Sequence, residues 1–124
     1  MKKILILILM NVIIYSCSSS GKSSDLQIRI SNVSEFNYEN INVNASGEIV
    51  NFGNLDSNSK SEFRTFDLAY RYAFVEFQIN GETFTLQPID YVGETPWENG
   101  KYSYEINVNP SSQFQKVTLE LKNE

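Results

Sequence analysis

From residue 25 onward, apolar side chains recur at every second position, and this period restricts the fold more than any other feature of the chain. The stretch YAFVEFQINGETFTLQP, Tyr72 to Pro88, is the clearest case. Ala73, Val75, Phe77 and Ile79 fall on one face, and Phe84 and Leu86 return on the same side after Asn80-Gly81. That dipeptide supplies the positive φ angles a two-residue type I′ turn needs, so the segment predicts a β-hairpin. Similar sets are Leu26, Ile28, Ile30; Ile41, Val43, Ala45; Tyr102, Tyr104, Ile106, Val108; and Val117, Leu119, Leu121. GEIVNFG, Gly47 to Gly53, predicts a further short strand, and EFRTFDL, Glu62 to Leu68, a strand or an irregular edge. No segment carries a helical period. Seven or eight short strands within about 100 residues predict an all-β chain built as a single antiparallel β-sandwich.

The N-terminus has a different grammar. Lys2 and Lys3 precede ILILILMNVII, Ile4 to Ile14, which is apolar apart from Asn11. A basic start, a short apolar run and then small residues form the pattern of a secretory signal peptide. The run is about half the roughly 20 residues that a membrane-spanning helix requires. Ser18 to Asp25 (SSSGKSSD) is rich in serine, lacks an apolar pattern and reads as a flexible tether. The division expected is therefore a signal peptide over 1–16, an anchor residue and tether over 17–25, and a sandwich domain over 26–124.

Ile14-Tyr15-Ser16-Cys17 resembles the lipobox of bacterial lipoproteins, with Tyr15 standing where a small residue is usual. The resemblance implies cleavage before Cys17, alkylation of its thiol with diacylglycerol, and acylation of the new amino group by a chain such as palmitate. Two or three acyl chains hold a protein durably on a membrane, whereas one holds it marginally. Further along, FGNL (Phe52–Leu55), AYRYA (Ala69–Ala73), PIDYVGE (Pro88–Glu94) and NGKYSY (Asn99–Tyr104) are similar to segments shared by small lipoproteins of Bacteroidetes-type Gram-negative bacteria. That resemblance implies an envelope lipoprotein with an Ig-like or transthyretin-like sandwich, and carries no activity with it. Surface-displayed lipoproteins of such bacteria often have acidic residues just after the cysteine. Ser18 to Ser20 occupy that place here, which implies an outer-membrane protein facing the periplasm.

Charge and composition exclude several classes of function. Removing Lys2 and Lys3 from the ten basic residues leaves eight against fifteen acidic ones, a net charge of about −7. An acidic chain without a basic cluster makes no nucleic-acid interface, because phosphates demand Lys and Arg. The chain has no histidine, so it can form no Ser-His or Cys-His nucleophile pair and no histidine metal site. Its single cysteine is assigned to lipid, leaving none for a disulfide. SGKSS, Ser20 to Ser24, matches the end of a phosphate-binding loop in letters only, since the strand and the earlier glycine are missing. No cofactor is expected. The expected function is a non-catalytic binding or accessory module, with two partners in view: the membrane, through the lipid on Cys17, and an envelope protein.

The loop PIDYVGETPWENG, Pro88 to Gly100, is the most unusual segment and the first place to look for a ligand. It gathers Asp90, Glu94 and Glu98 with Tyr91 and Trp97, a set that could grip a sugar or offer oxygen ligands to calcium. Two of its carboxylates at the right separation could also hydrolyse a glycoside, the weakest of these readings. Gly93, Pro96 and Gly100 argue against the helix that would align the acids. The plain alternative is a crossover loop, with Tyr91 and Trp97 packed over the end of the sandwich and Asn99-Gly100 as a turn. DSNSKSE, Asp56 to Glu62, lacks the glycine and acid spacing of an EF-hand and reads as a solvated turn, so no metal site is expected. Phe63, Phe66, Tyr70, Tyr72 and Phe74 could form an exposed aromatic stripe for a partner. Phe74 stands out, since it falls on the face opposite Val75 and Phe77.

Overall fold

The computed structural model describes residues 25–88 and 95–124. Eight strands are present among them: β1 (Asp25–Asn32), β2 (Tyr38–Asn44), β3 (Ile49–Leu55), β4 (Arg64–Phe66), β5 (Phe74–Ile79), β6 (Glu82–Leu86), β7 (Asn99–Val108) and β8 (Val117–Asn123). They form two four-stranded sheets, β4-β1-β7-β8 and β3-β2-β5-β6. Each segment with period-two alternation is a strand, and Asn80 and Gly81 take positive φ values of 51° and 87° at the hairpin turn. The first strand starts at Asp25, one residue inside the expected tether.

The expectation of a purely antiparallel sandwich needs one correction. β1 and β7 run parallel, in register from Asp25↔Asn99 to Asn32↔Ile106, while the other paired strands are antiparallel. The cause is the order of travel. Strand direction alternates all along the chain, so odd-numbered strands point one way and even-numbered strands the other. Two odd-numbered strands made neighbours in one sheet must be parallel, and a connection of many residues between them permits it. The same alternation sorts the loops. Residues 33–37, 56–63, 80–81 and 109–116 lie at one end, which we call distal. Residues 45–48, 67–73, 87–88 and 95–98 lie at the other, the tether end, where the chain enters β1.

The inward rows of both sheets make one core. Leu26, Ile28, Ile30, Ile41, Val43, Val75, Phe77, Tyr104 and Ile106 are wholly buried. Phe77 stacks on Tyr38 at 4.1 Å and on Phe84 at 6.0 Å, and such ring pairs add to the gain from burying their area. Two bulges bend β2 and β3. Asn40 (φ 54°) and Gly53 (φ 74°) absorb them, so that Tyr38 and Ile41, and Phe52 and Leu55, face inward despite odd spacing. Asn51 Nδ2 bridges the Oδ1 atoms of Asn40 (2.9 Å) and Asn42 (2.8 Å) across this distortion.

Buried polar groups fasten the distal end. Asn32 is buried, and its Nδ2 donates to the carbonyls of Phe36 (2.7 Å), Asp56 (3.1 Å) and Leu55 (3.3 Å). Its Oδ1 accepts from Ser34 N–H (2.9 Å) and Ser34 Oγ (2.7 Å). One amide thus ties the β1–β2 loop to the β3–β4 connection. The segment expected to be a solvated turn is bound here as well. Ser61 N–H donates to Ile30 O, Ile30 N–H donates to Ser61 Oγ, and Asn32 N–H donates to Ser59 O, each at 2.9 Å. The unpaired edge of β1 recruits these groups, because its buried N–H and C=O must find partners.

Tyr38 joins the sheets. It belongs to β2, and its hydroxyl donates across the core to Ile106 O of β7 at 2.8 Å. Burial pushes its phenol from 10.0 up to about 12, against a smaller lowering from Ser34. On the outer face, Arg29 makes a bidentate pair with Glu124 (2.7 and 3.1 Å) and lies 4.6 Å over the Phe63 ring. The Arg29 hydrogen bond lowers the pKa of the Glu124 carboxyl. This half-exposed pair stabilises above the ordinary carboxylate range and is lost as pH falls, a small contribution.

Two outcomes follow. Asn32→Asp and Asn32→Ala should each lower stability in urea by about 2–4 kcal/mol, since neither side chain can donate to the three carbonyls. If Asn32→Asp unfolds at the wild-type midpoint at pH 7, the amide is not the fastening. Tyr38→Phe should cost about 1 kcal/mol at pH 7. Because the folded phenol is held neutral, the Tyr38 contribution is complete below pH 10 and declines as pH rises toward 12. Wild type should therefore lose stability over that interval more steeply than Tyr38→Phe, as read by circular dichroism.

Candidate functional site

Of the segment singled out in the sequence, Pro88 and residues 95–100 are described, and they lie at the tether end. Asp90, Tyr91 and Glu94 fall outside the described residues, as does Cys17. Trp97 is described, and its place is structural in part. Its backbone exchanges hydrogen bonds with Ala69 (Trp97 N–H to Ala69 O 2.7 Å, Ala69 N–H to Trp97 O 3.1 Å). Its ring tilts against Tyr102 with centroids 5.2 Å apart, while 40% of the residue remains exposed. Ala69 is itself fully buried, so this bridge closes the end of the core beneath the 67–73 loop. Tyr104 reaches the same loop from inside, donating its hydroxyl to Tyr70 O at 2.6 Å.

Asn99-Gly100 is not a turn, contrary to expectation. Both residues begin β7, opposite Asp25 and Leu26. Parallel pairing with β1 wins over the turn propensity of the dipeptide, and Gly100 keeps its left-handed φ (106°) inside the strand. A Cβ there would meet the Tyr102 ring at 3.0 Å (Cε2) and 3.1 Å (hydroxyl oxygen). The ring lies over the glycine with Trp97 against it, so the three form one closure.

The aromatic residues of 63–74 do not form one stripe. Phe66 is in the core, 6.3 Å from Phe52, and Phe63 lies under Arg29 and Lys101. Tyr72 is 42% exposed, with the Arg71 guanidinium 5.6 Å from its ring. Phe74 is half-buried on the outer face of the second sheet. There it stands directly opposite Asn44 of β2. Val75 pairs with Leu86, so the next position on β6, Gln87, falls in the same row. A ring thus sits between two amides across three adjacent chain segments.

That row borders a cleft of about 530 Å³, to which Ser46, Leu68 and Tyr70 also contribute. Gln87 also lines a second cleft, of about 420 Å³, shared with Tyr72, Pro88, Gln115 and Thr118 between the β6 and β8 edges. A third, of about 580 Å³, is of different character, with Arg71 beside Glu105 and Glu120. Among the described residues there is no group of three or more acidic or cysteine side chains placed to hold a metal ion. Neither Gln87, Asn44 nor Gln115 was marked by the sequence. Each is an ordinary polar residue at a strand end or in a loop, and only the sheet register and the fold bring them to their aromatic neighbours.

No protein-family model matches the chain, and no curated protein matches it. Among solved structures it is similar to the NMR structure of a protein from Eubacterium rectale, with a TM-score of 0.58 and 19% identity over 86% of this chain and 96% of that one. At that identity the likeness shows the fold alone. It is the all-β, two-sheet arrangement.

Gly100→Ala should reduce stability by about 1–3 kcal/mol in urea and shift Trp97 emission to the red, as the ring loses its seat on Tyr102. Unchanged emission together with an unchanged midpoint would remove Gly100 from the closure.

Proposed function

We propose that this chain is a lipid-anchored cell-envelope protein whose sandwich serves as a non-catalytic binding or accessory module. The observation that carries the reading is the junction at Asp25. A basic start, an apolar run and Ser16-Cys17 precede it, and only Ser18 to Ser24 separate Cys17 from β1. Eight residue steps reach at most about 28 Å, so a lipid on Cys17 holds the tether end close to the membrane and turns the 33–37, 56–63 and 109–116 loops away from it. The type of protein is that of small Bacteroidetes-type lipoproteins, and the place is the outer membrane, facing the periplasm. Absence of histidine from the chain and use of its cysteine for lipid support a binding rather than a catalytic role.

Within this reading the sandwich is transthyretin-like. In an Ig sandwich the first strand lies beside the second. Here β1 lies between β4 and β7, and β2 lies in the other sheet, an order that favours the transthyretin-like alternative over the Ig-like one.

Mass spectrometry of the protein purified from native membranes should find an N-terminal peptide that begins at Cys17 and carries diacylglycerol. Cys17→Ala should leave the chain uncleaved and unlipidated. Membrane attachment and an unmodified cysteine in the wild type would overturn the anchor. Cross-linking from the same membranes should recover an envelope protein in stoichiometric amount with wild type, and lose it with Cys17→Ala.

A further inference from the structure

We propose that the outer-face row Asn44–Phe74–Gln87 is a binding site for an uncharged oligosaccharide, with Tyr72 and Gln115 receiving the units beyond the first. The proposal rests on the reading of the sandwich as a binding module and gives that module a ligand class. Charge is the first argument. Fifteen acidic and ten basic residues are spread along this chain, yet among the described residues no charged side chain lines either cleft that flanks Gln87. The described lining of these two clefts, made of amides, hydroxyls and rings, suits a neutral ligand. Charge enters only beyond Tyr72 and Thr118, where Arg71, Glu105 and Glu120 line the neighbouring cleft.

Donor and acceptor chemistry is the second argument. Asn44 Oδ1 accepts from Gly47 N–H at 2.6 Å, which orients the amide and leaves its two N–H donors to the cleft. Gln115 Nε2 donates to Val117 O at 3.0 Å, which leaves its Oε1 as an acceptor on the other side of Gln87. The Gln87 amide has no hydrogen-bond partner among the described residues and offers both kinds of group, and Thr118 adds a hydroxyl. Sugar hydroxyls are donors and acceptors at once, so a mixed set of fixed amides matches them better than it matches an apolar ligand. Phe74 supplies a ring between two of these amides, a surface for the C–H face of a pyranose. Few convergent polar groups around aromatic side chains is the usual make-up of a small-ligand site. Two clefts sharing one residue suit a chain of units rather than a single sugar.

Access is compatible with the anchor. The row lies on the β3-β2-β5-β6 sheet, whereas the tether enters the β4-β1-β7-β8 sheet at Asp25. The row lies at the tether end, so a ligand reaches it sideways, from the outer face of its own sheet and not through the sheet that the tether enters.

The test is isothermal titration of the full-length lipidated protein in a detergent without a sugar headgroup. The probes are maltohexaose, cellohexaose, xylohexaose, mannohexaose and β-1,4-galactohexaose, with hexagalacturonate as the charged comparison. At least one neutral hexaose should bind with a Kd of about 1 mM or tighter, and hexagalacturonate should bind at least tenfold more weakly. Gln87→Ala should weaken the neutral ligand about tenfold with wild-type thermal unfolding, and Asn44→Ala should weaken it by a similar factor while also losing the Gly47 hydrogen bond. Gln87 is exposed and outside the core, so its variant keeps the test meaningful if Phe74→Ala fails to fold. Tyr72→Ala should weaken the hexaose but leave the matching disaccharide unchanged. No heat from any neutral hexaose at about 10 mM, or binding indifferent to both Gln87→Ala and Asn44→Ala, overturns the site. Those results are separate from the anchor. A lipidated protein recovered with a partner but silent to every hexaose sinks the saccharide site alone. One that binds hexaose but carries no lipid sinks the anchor and leaves the site standing.

Discussion

The parallel pairing of β1 with β7 is the constraint on which the rest of the molecule depends. Eight consecutive residues of each strand lie in register, and this places the start of the sandwich beside the start of β7. Every loop is thereby assigned to one end or the other. The residues that arrive at the tether end, Trp97, Ala69 and Gly100, close the core just where the chain enters it. Were β7 reversed, its first residues would lie at the distal end and the closure would have no Tyr102 to rest on. Parallel pairs are slightly weaker per residue than antiparallel ones, and they are normally buried on both faces. Here the outer face of the pair is covered in part by side chains, with Arg29, Phe63, Lys101 and Glu124 packed over it.

Two kinds of force then hold the sheets together, and they differ in what they specify. Burial of Ile, Leu, Val and Phe stabilises any face-to-face arrangement of the two apolar surfaces. Buried polar groups select one. Tyr38 finds its acceptor only if β2 begins opposite Ile106, and Asn32 finds three carbonyls only if two loops come to the same corner. An unmet buried group costs about as much as a met one contributes, or more, so a slipped arrangement is penalised twice. These residues do little to drive collapse and much to fix its outcome.

The outer face of the second sheet is governed by a different logic. Side chains there are free of the packing demand, and asparagines crowd β2 and β3. Some are spent on the fold, as where Asn51 spans the bulge between Asn40 and Asn42. Asn44 is half spent, its oxygen holding the Gly47 turn. The remaining donors, the neighbouring Phe74 ring and Gln87 beyond it join directional polar groups to an aromatic face, with Glu76 two residues further along β5.

Much of the fold was legible in the residues themselves. Period-two alternation is a local consequence of one buried face, so most of the strands and the Asn80-Gly81 turn could be read directly. The segment of β4 was left between a strand and an irregular edge, and bulges break the alternation in β2 and β3. Side chains that point into the core were legible for the same reason. What alternation cannot convey is which strand lies beside which. The parallel β1–β7 pair, the capture of Ser59 to Ser61 by the β1 edge, and the strand position of Asn99-Gly100 all depend on partners many residues away. Trp97 could be guessed as a lid because it is large and apolar, but its seat on Tyr102 could not. The candidate site was the least legible of all. Attention in the sequence falls on acids and aromatics clustered in one loop, whereas the row Asn44–Phe74–Gln87 draws on three separated segments. Sequence alone determined most strands and the core face, because each is encoded within a few residues. Tertiary structure alone decided the neighbours, the ends and the site, because hydrogen-bond register joins positions that the chain order keeps apart.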